Sequence, residues 1–182
     1  CAVMSLLLAA GLLQAVPADL SQALFEAAQG TRQPGDTIAF NGVQTADGQL
    51  LDYQAMAHRV RIVLFVEPLT REAGLQRLAW WKTNSQALAK TADILVVSCG
   101  SALPEQKLPG LTLLRDPNCL LASRFGSIRP YDGRLGALPF AFVLDDSGII
   151  RRTVEPASAA EQAKTLRQAV QRLRRQLALQ RQ

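Results

Sequence analysis

The sequence predicts an α/β domain with a central mixed sheet and helices on both faces. Two observations carry that expectation. Arg61 to Val66 and Asp93 to Cys99 are short, continuous apolar and β-branched runs, as strands covered on both faces require. Helical patterns separate them from each other and from later extended stretches, and strands joined by helical crossovers run parallel. Everything else is arranged around Arg61 to Leu75, which reads as a buried strand, a short loop and the first turn of a helix passing through Trp80 and Trp81. In such folds the loop at the carboxyl end of a central strand is where ligands gather.

The 182 residues suffice for one domain with a full core and an N-terminal extra. At 48% hydrophobic and 19% charged, the chain belongs with globular rather than disordered sequences. Its net charge of +5 is uneven: from Arg151 onward eight basic residues face two acidic ones, while the remainder holds twelve basic and thirteen acidic residues. Basicity therefore belongs to the C-terminal segment. With three cysteines and one histidine, His58, a dedicated zinc site is not expected, because structural zinc takes four Cys or His ligands.

Residues 1–18 open with an almost wholly apolar run, Cys1 to Val16, short of the roughly 20 residues of a membrane span. The run has the length of a signal-peptide core, and Val16-Pro17-Ala18 places small residues where a signal peptidase reads. The preferred reading is a truncated signal peptide or membrane anchor. The alternatives are an apolar helix packed on the domain and a lipoprotein acylated at Cys1. Residues 19–33 supply a short amphipathic helix, Asp19 to Ala28, and a linker.

Within residues 34–156, Pro34-Gly35-Asp36 precedes an extended Thr37 to Phe40, and Asp47-Gly48 signals a hairpin before Leu50 to Tyr53. Arg61 to Val66 follows, then a helix over Glu72 to Lys90 with Leu75, Leu78, Trp81 and Leu88 near one side. One tryptophan is expected to pack on the sheet and the other to reach a contact surface. After the strand Asp93 to Cys99 comes Leu111 to Leu114, then Asp116-Pro117 as a cap with proline at the first helical position, and a helix over Asn118 to Phe125. Ser127 to Gly136 reads as a Gly- and Pro-rich loop. Phe140 to Leu144 and Ile149 to Val154 form a hairpin around Asp145 to Gly148, whose aspartates read as turn residues. Residues 157–182 are a basic amphipathic helix. It carries a stripe of Leu166, Val170, Leu173 and Leu177, with Arg167, Arg172, Arg174, Arg175 and Arg181 off that stripe.

This order of elements resembles the thioredoxin-like fold in its redoxin form, the family of peroxiredoxins and membrane-tethered thioredoxins. The resemblance covers Pro34 to Val154. PGDTIAFNGVQTADGQLLDY is similar to the entry hairpin, RIVLFVEP to the strand before the active loop, DILVVSCGS to the next strand, LRDPNCLLASRFG to the following helix and ALPFAFVLDDSGIIRR to the closing hairpin. The resemblance implies a cis bond at Pro139. It also implies a thiol site that this chain does not carry. A CxxC laid after the strand falls on Thr70 and Ala73. The peroxiredoxin Pro, Thr and peroxidatic Cys fall on Pro68, Glu72 and Leu75, and the activating arginine falls near Pro139. A threonine hydroxyl without a neighbouring base does not replace a thiolate.

Cys99 ends a strand and Cys119 starts a helix. The preferred reading is two buried thiols; a disulfide and a displaced redox pair are the alternatives. His58, flanked by Arg59, reads as a surface or edge residue. No P-loop or GxGxxG is present, and neither cofactor nor metal is expected. The basic terminal helix reads first as a docked helix with a solvated face and second as a contact for anionic lipid. Nucleic acid is disfavoured, because no aromatic residues interleave the arginines.

Three functions follow as expectations. The first is an exported redoxin-like protein, periplasmic or tethered on the outer side of the inner membrane, without thiol activity and acting on an unidentified protein partner as a binding or assembly module. The second is an oxidoreductase or peroxidase using Cys99 and Cys119. The third is a membrane-surface module acting through the terminal helix.

Overall fold

The computed structural model describes residues 30–100, 104, 108–131 and 133–180. The expected segments within 1–18 and 19–28, and Arg181, lie outside them.

Six strands form the main sheet in the order β1-β4-β3-β2-β7-β8. They are β1 (Gln44–Thr45), β2 (Arg61–Val66), β3 (Asp93–Cys99), β4 (Thr112–Asp116), β7 (Ala141–Leu144) and β8 (Ile150–Val154). A separate ribbon pairs β5 (Ile128–Tyr131) with β6 (Arg134–Ala137). The helices among the described residues are α1 (Glu72–Asn84), α2 (Gln86–Ala89), α3 (Leu120–Arg124) and α4 (Ala159–Leu179). β2, β3 and β4 run parallel, and β1, β7 and β8 antiparallel to their neighbours, so the mixed sheet is as the sequence predicts.

Strand β2 lies mid-sheet with every residue buried. Its side chains alternate between two cores. Ile62, Leu64 and Val66 face Trp81 of α1 and the stripe Leu166, Val170 and Leu173 of α4. Val63 and Phe65 face Phe40, Phe125 and Phe142, where the Phe65 and Phe125 rings meet edge to face at 5.2 Å. Helices thus cover both faces. Trp81 is buried on the sheet, as expected of one of the pair, while Trp80 is partly buried and packs edge to face against it. A Ser158–Glu161 capping box starts α4.

Several elements differ from expectation for identifiable reasons. The long helix breaks at Ser85, where the Thr83 and Asn84 side chains donate to the carbonyls of Ala79 and Trp80 and so compete with backbone donors. The entry hairpin keeps its Asp47-Gly48 turn, with Gly48 at φ 86°, but only Gln44–Thr45 is strand, paired with β4. Helix α3 begins later than Asn118, because Cys119 adopts φ 57°. Asp116 still caps that helix from the end of β4, accepting from the Leu121 and Ala122 amides at 2.9 and 2.8 Å. Burial raises its carboxyl pKa against those hydrogen bonds. The segment expected as a loop, Ser127 to Gly136, contains most of the β5–β6 ribbon. Leu75 is 54% exposed rather than in the core, because its turn stands beyond the end of β2. No described peptide bond is cis, so Leu138-Pro139 is trans. Here Phe140 donates to the Leu138 carbonyl and fixes the turn through the trans bond.

Candidate functional site

The site begins where β2 leaves the sheet. Glu67 and Pro68 lie at the strand's end, and Arg71 donates its amide to the Pro68 carbonyl at 2.9 Å, closing the turn before α1. Gly74 is required here. A Cβ at this position would lie 2.3 Å from the Glu67 carbonyl oxygen and 2.6 Å from that of Pro68. The helix therefore packs backbone against backbone on the loop that precedes it.

Of the positions expected to matter, Pro68 is buried, and Thr70, Glu72, Ala73 and Leu75 are exposed. Thr70, Glu72 and Ala73 line the turn leading into α1, with Glu72 accepting from Gln76 at 2.7 Å. Arg71 occupies the cap position of α1 without a side-chain cap.

The loop is held from two sides. Behind it, Glu67 and Arg77 form an ion pair at 2.8 Å, and Arg77 also donates to Gln162 at 3.1 Å and to the Ala157 carbonyl at 3.0 Å. Gln162 in turn donates to the Pro139 carbonyl at 2.5 Å. Pro139 is thus connected to the loop between β2 and α1 through Gln162 and Arg77. In front, the β5–β6 ribbon lies across Pro68. A Cβ on Gly136 would come within 2.6 Å of both the Pro68 ring and the Tyr131 ring, so only glycine lets these surfaces meet. Tyr131 lies near two guanidinium groups, Arg71 at 5.1 Å and Arg129 at 4.5 Å from its ring centre. Its hydroxyl donates to the Ala137 carbonyl at 3.2 Å, and burial raises its pKa.

Sequence reasoning did not find Arg77, Gln162 or Tyr131. For Gln162 a signal existed: it lies four residues before Leu166, the one polar residue on the buried stripe.

Cys99 and Cys119 are joined as a disulfide, with Cα atoms 4.7 Å apart. The preferred expectation of two separate thiols is thereby corrected: parallel pairing sets Cys99 opposite Asp116, and the left-handed turn at Cys119 swings it back toward Cys99. Both residues are buried beneath the ribbon, where Leu135 approaches Gly100. His58 stands at the opposite end of the sheet, lining a cavity of about 370 Å³ with Thr91, Arg174 and Leu177. It is the edge residue expected.

No protein-family model and no curated protein sequence matches the chain. Solved structures do. Peroxidoxin BcpB from Mycobacterium tuberculosis superposes with a TM-score of 0.62 at 16% identity, over 76% of this chain and 96% of that one. Peroxiredoxin Q from Xanthomonas campestris gives 0.59 at 19% identity, over 74% and 97%. A peroxiredoxin-like protein from Aquifex aeolicus gives 0.60 at 14% identity, over 76% and 88%. The chain therefore has the thioredoxin-like fold in the form shared by the peroxiredoxins.

Proposed function

We propose that this chain is an exported thioredoxin-fold protein that binds a protein partner at its active-loop face and does no thiol chemistry there. One observation carries the reading. The turn that receives a reactive cysteine in redoxins presents Thr70, Ala73 and the exposed side chain of Leu75. A hydroxyl, a methyl group and an isobutyl group supply neither a thiolate nor a resolving thiol. The framework that positions the loop is elaborate all the same, with an ion pair behind it and a ribbon in front. Such fixing lowers the ordering cost of binding.

A second reading rests on the Cys99–Cys119 disulfide, a dithiol couple directly below the ribbon. Its burial weighs against it, because exchange needs in-line access of an attacking thiolate to a sulfur.

Peroxide consumption with a thioredoxin reducing system, and insulin reduction, separate the two. The purified chain is expected to show no turnover above buffer in either assay. Turnover that disappears in Cys99→Ser or Cys119→Ser would overturn the first reading and establish the second.

A further inference from the structure

Strand β8 ends the sheet on one side, and α4 packs beside it so as to leave a groove of about 220 Å³ between them. Arg151 and Arg152 stand on the strand side. Gln168, Arg172 and Gln176 stand on the helix side, each four residues from the next and so stacked on one face. The floor is apolar, with Val143 and Leu173 both buried.

The charges of the groove do not cancel. Arg151 is committed to Asp145, through Nε at 2.8 Å and Nη2 at 2.6 Å. Arg152 and Arg172 are exposed, and among the described residues neither guanidinium has a hydrogen bond or an ion pair. No described carboxylate lines the groove. The acidic residues nearest in the chain are placed elsewhere. Asp145 is buried against Arg151, and Asp146 is held by Arg59. Glu155 lies past the end of β8. Glu161 serves the Ser158 cap, about 16 Å along the helix from Arg172. No acidic residue follows it in α4. Two like charges over an apolar floor are screened less than on an open helix, so an anion that meets both is favoured.

The groove also limits which anion fits. Its volume lies below the roughly 300–1,000 Å³ of sites that hold drug-sized ligands and cofactors, so one small group is accommodated. A carboxylate brings a single charge and two oxygens, which satisfies one guanidinium and leaves the other unmet. A phosphate monoester brings about −1.5 to −2 at neutral pH and three acceptor oxygens. Two of these suit the planar fork of an arginine, and the remaining acceptor positions suit the amides of Gln168 and Gln176.

We propose that the groove between β8 and α4 is a binding site for a phosphate monoester, held between Arg152 and Arg172. The site stands apart from the active loop and does not depend on the reading of that loop.

The test is an NMR titration of the full chain with inorganic phosphate, chloride being exchanged out to hold ionic strength constant. Saturable shifts are expected at the amides of Arg152, Gln168, Arg172 and Gln176. Acetate under the same conditions is expected to bind at least about tenfold more weakly. Arg152→Gln with Arg172→Gln is expected to weaken phosphate binding at least about tenfold. Because neither side chain has a native partner, this variant keeps the fold, and the acetate comparison needs no variant at all. Arg167→Gln with Arg174→Gln is expected to leave binding unchanged, since at 100° per residue both leave α4 on the far side from Arg172, Arg174 beside His58. Vesicles of phosphatidic acid that compete for the four amides place the phosphate on a lipid headgroup; vesicles that do not leave a soluble monoester as the ligand. Absence of saturable phosphate shifts, equal affinity for acetate, or unchanged affinity in the Arg152 and Arg172 variant would each overturn the proposal.

Discussion

Arg77 grips Glu67 through two of its three guanidinium nitrogens, Nε to Oε2 at 2.8 Å and Nη2 to Oε1 at 3.2 Å, and so ties the second turn of α1 to the end of β2. Both side chains are nearly buried, at 12% and 14% exposure, where losing one partner strands the other's charge. Arg77→Met is therefore expected to destabilise the fold by about 2–4 kcal/mol in urea unfolding. Combining it with Glu67→Gln is expected to recover part of that loss, because the stranded carboxylate is gone.

Gly74 makes a second, sharper prediction. Alanine here puts a methyl group against the backbone carbonyls of Glu67 and Pro68, which are not free to swing away as a side chain is. Gly74→Ala is expected to cost about 2–3 kcal/mol and to displace the loop. A lowered urea midpoint would report the cost, and faster amide exchange at Arg71 and Leu75 the displaced loop.

The disulfide links residues 20 apart in sequence. Constraining a loop of that size in the unfolded chain is worth about 3 kcal/mol. Cys99→Ser with Cys119→Ser is expected to lower the melting temperature by roughly 5–15 °C, taking the usual shift per kcal/mol for a domain of this size. Non-reducing peptide mapping of the wild type checks the bond directly, and a native chain with two alkylatable thiols would contradict it.

Acid acts through Asp146. A hydrogen bond from Arg59 at 2.5 Å holds its carboxyl below the ordinary aspartate range. A carboxyl lowered on folding contributes stability that is present above its unfolded pKa and is lost as pH falls through the folded one. The gap in urea midpoint between wild type and Asp146→Asn is thus expected to be constant from neutral pH to about pH 5 and to close below about pH 4. A gap that widens with acid would contradict the ion pair.

Much of the architecture was legible because its signals are local. RIVLFV and DILVVSC announce buried strands by continuous apolar character, Asp145 to Gly148 announces a turn, and Leu166, Val170, Leu173 and Leu177 mark the face on which α4 docks. The β5–β6 ribbon hid behind Pro130, Gly133 and Gly136. A two-stranded ribbon tolerates proline and glycine that a central strand would not, and Gly136 is there to admit Tyr131. Leu75 matched a helical stripe, but periodicity does not say where along a helix the sheet stops.

The location of the candidate site was readable as the loop between a central strand and its helix. What holds the loop was not. Glu67 and Arg77 face each other over nearly three helical turns' worth of chain, and Gln162 reaches Pro139 from another element altogether. The cysteines show the same limit: a strand end and a helix start were expected near one sheet edge, but the backbone turn at Cys119 that joins them has no sequence marker.

The place of β2 in the sheet has a consequence for synthesis. One neighbour, β3, follows it directly, but the other is β7, with Arg61 opposite Leu144. As the chain leaves the ribosome, β2 has an unpaired edge, apolar from Ile62 onward, until residues 141–144 emerge. An exposed strand edge of that kind recruits other chains. Nascent chains that stall before Ala141 are therefore expected to need chaperone cover, whereas chains that have passed Val154 hold all six strands of the sheet.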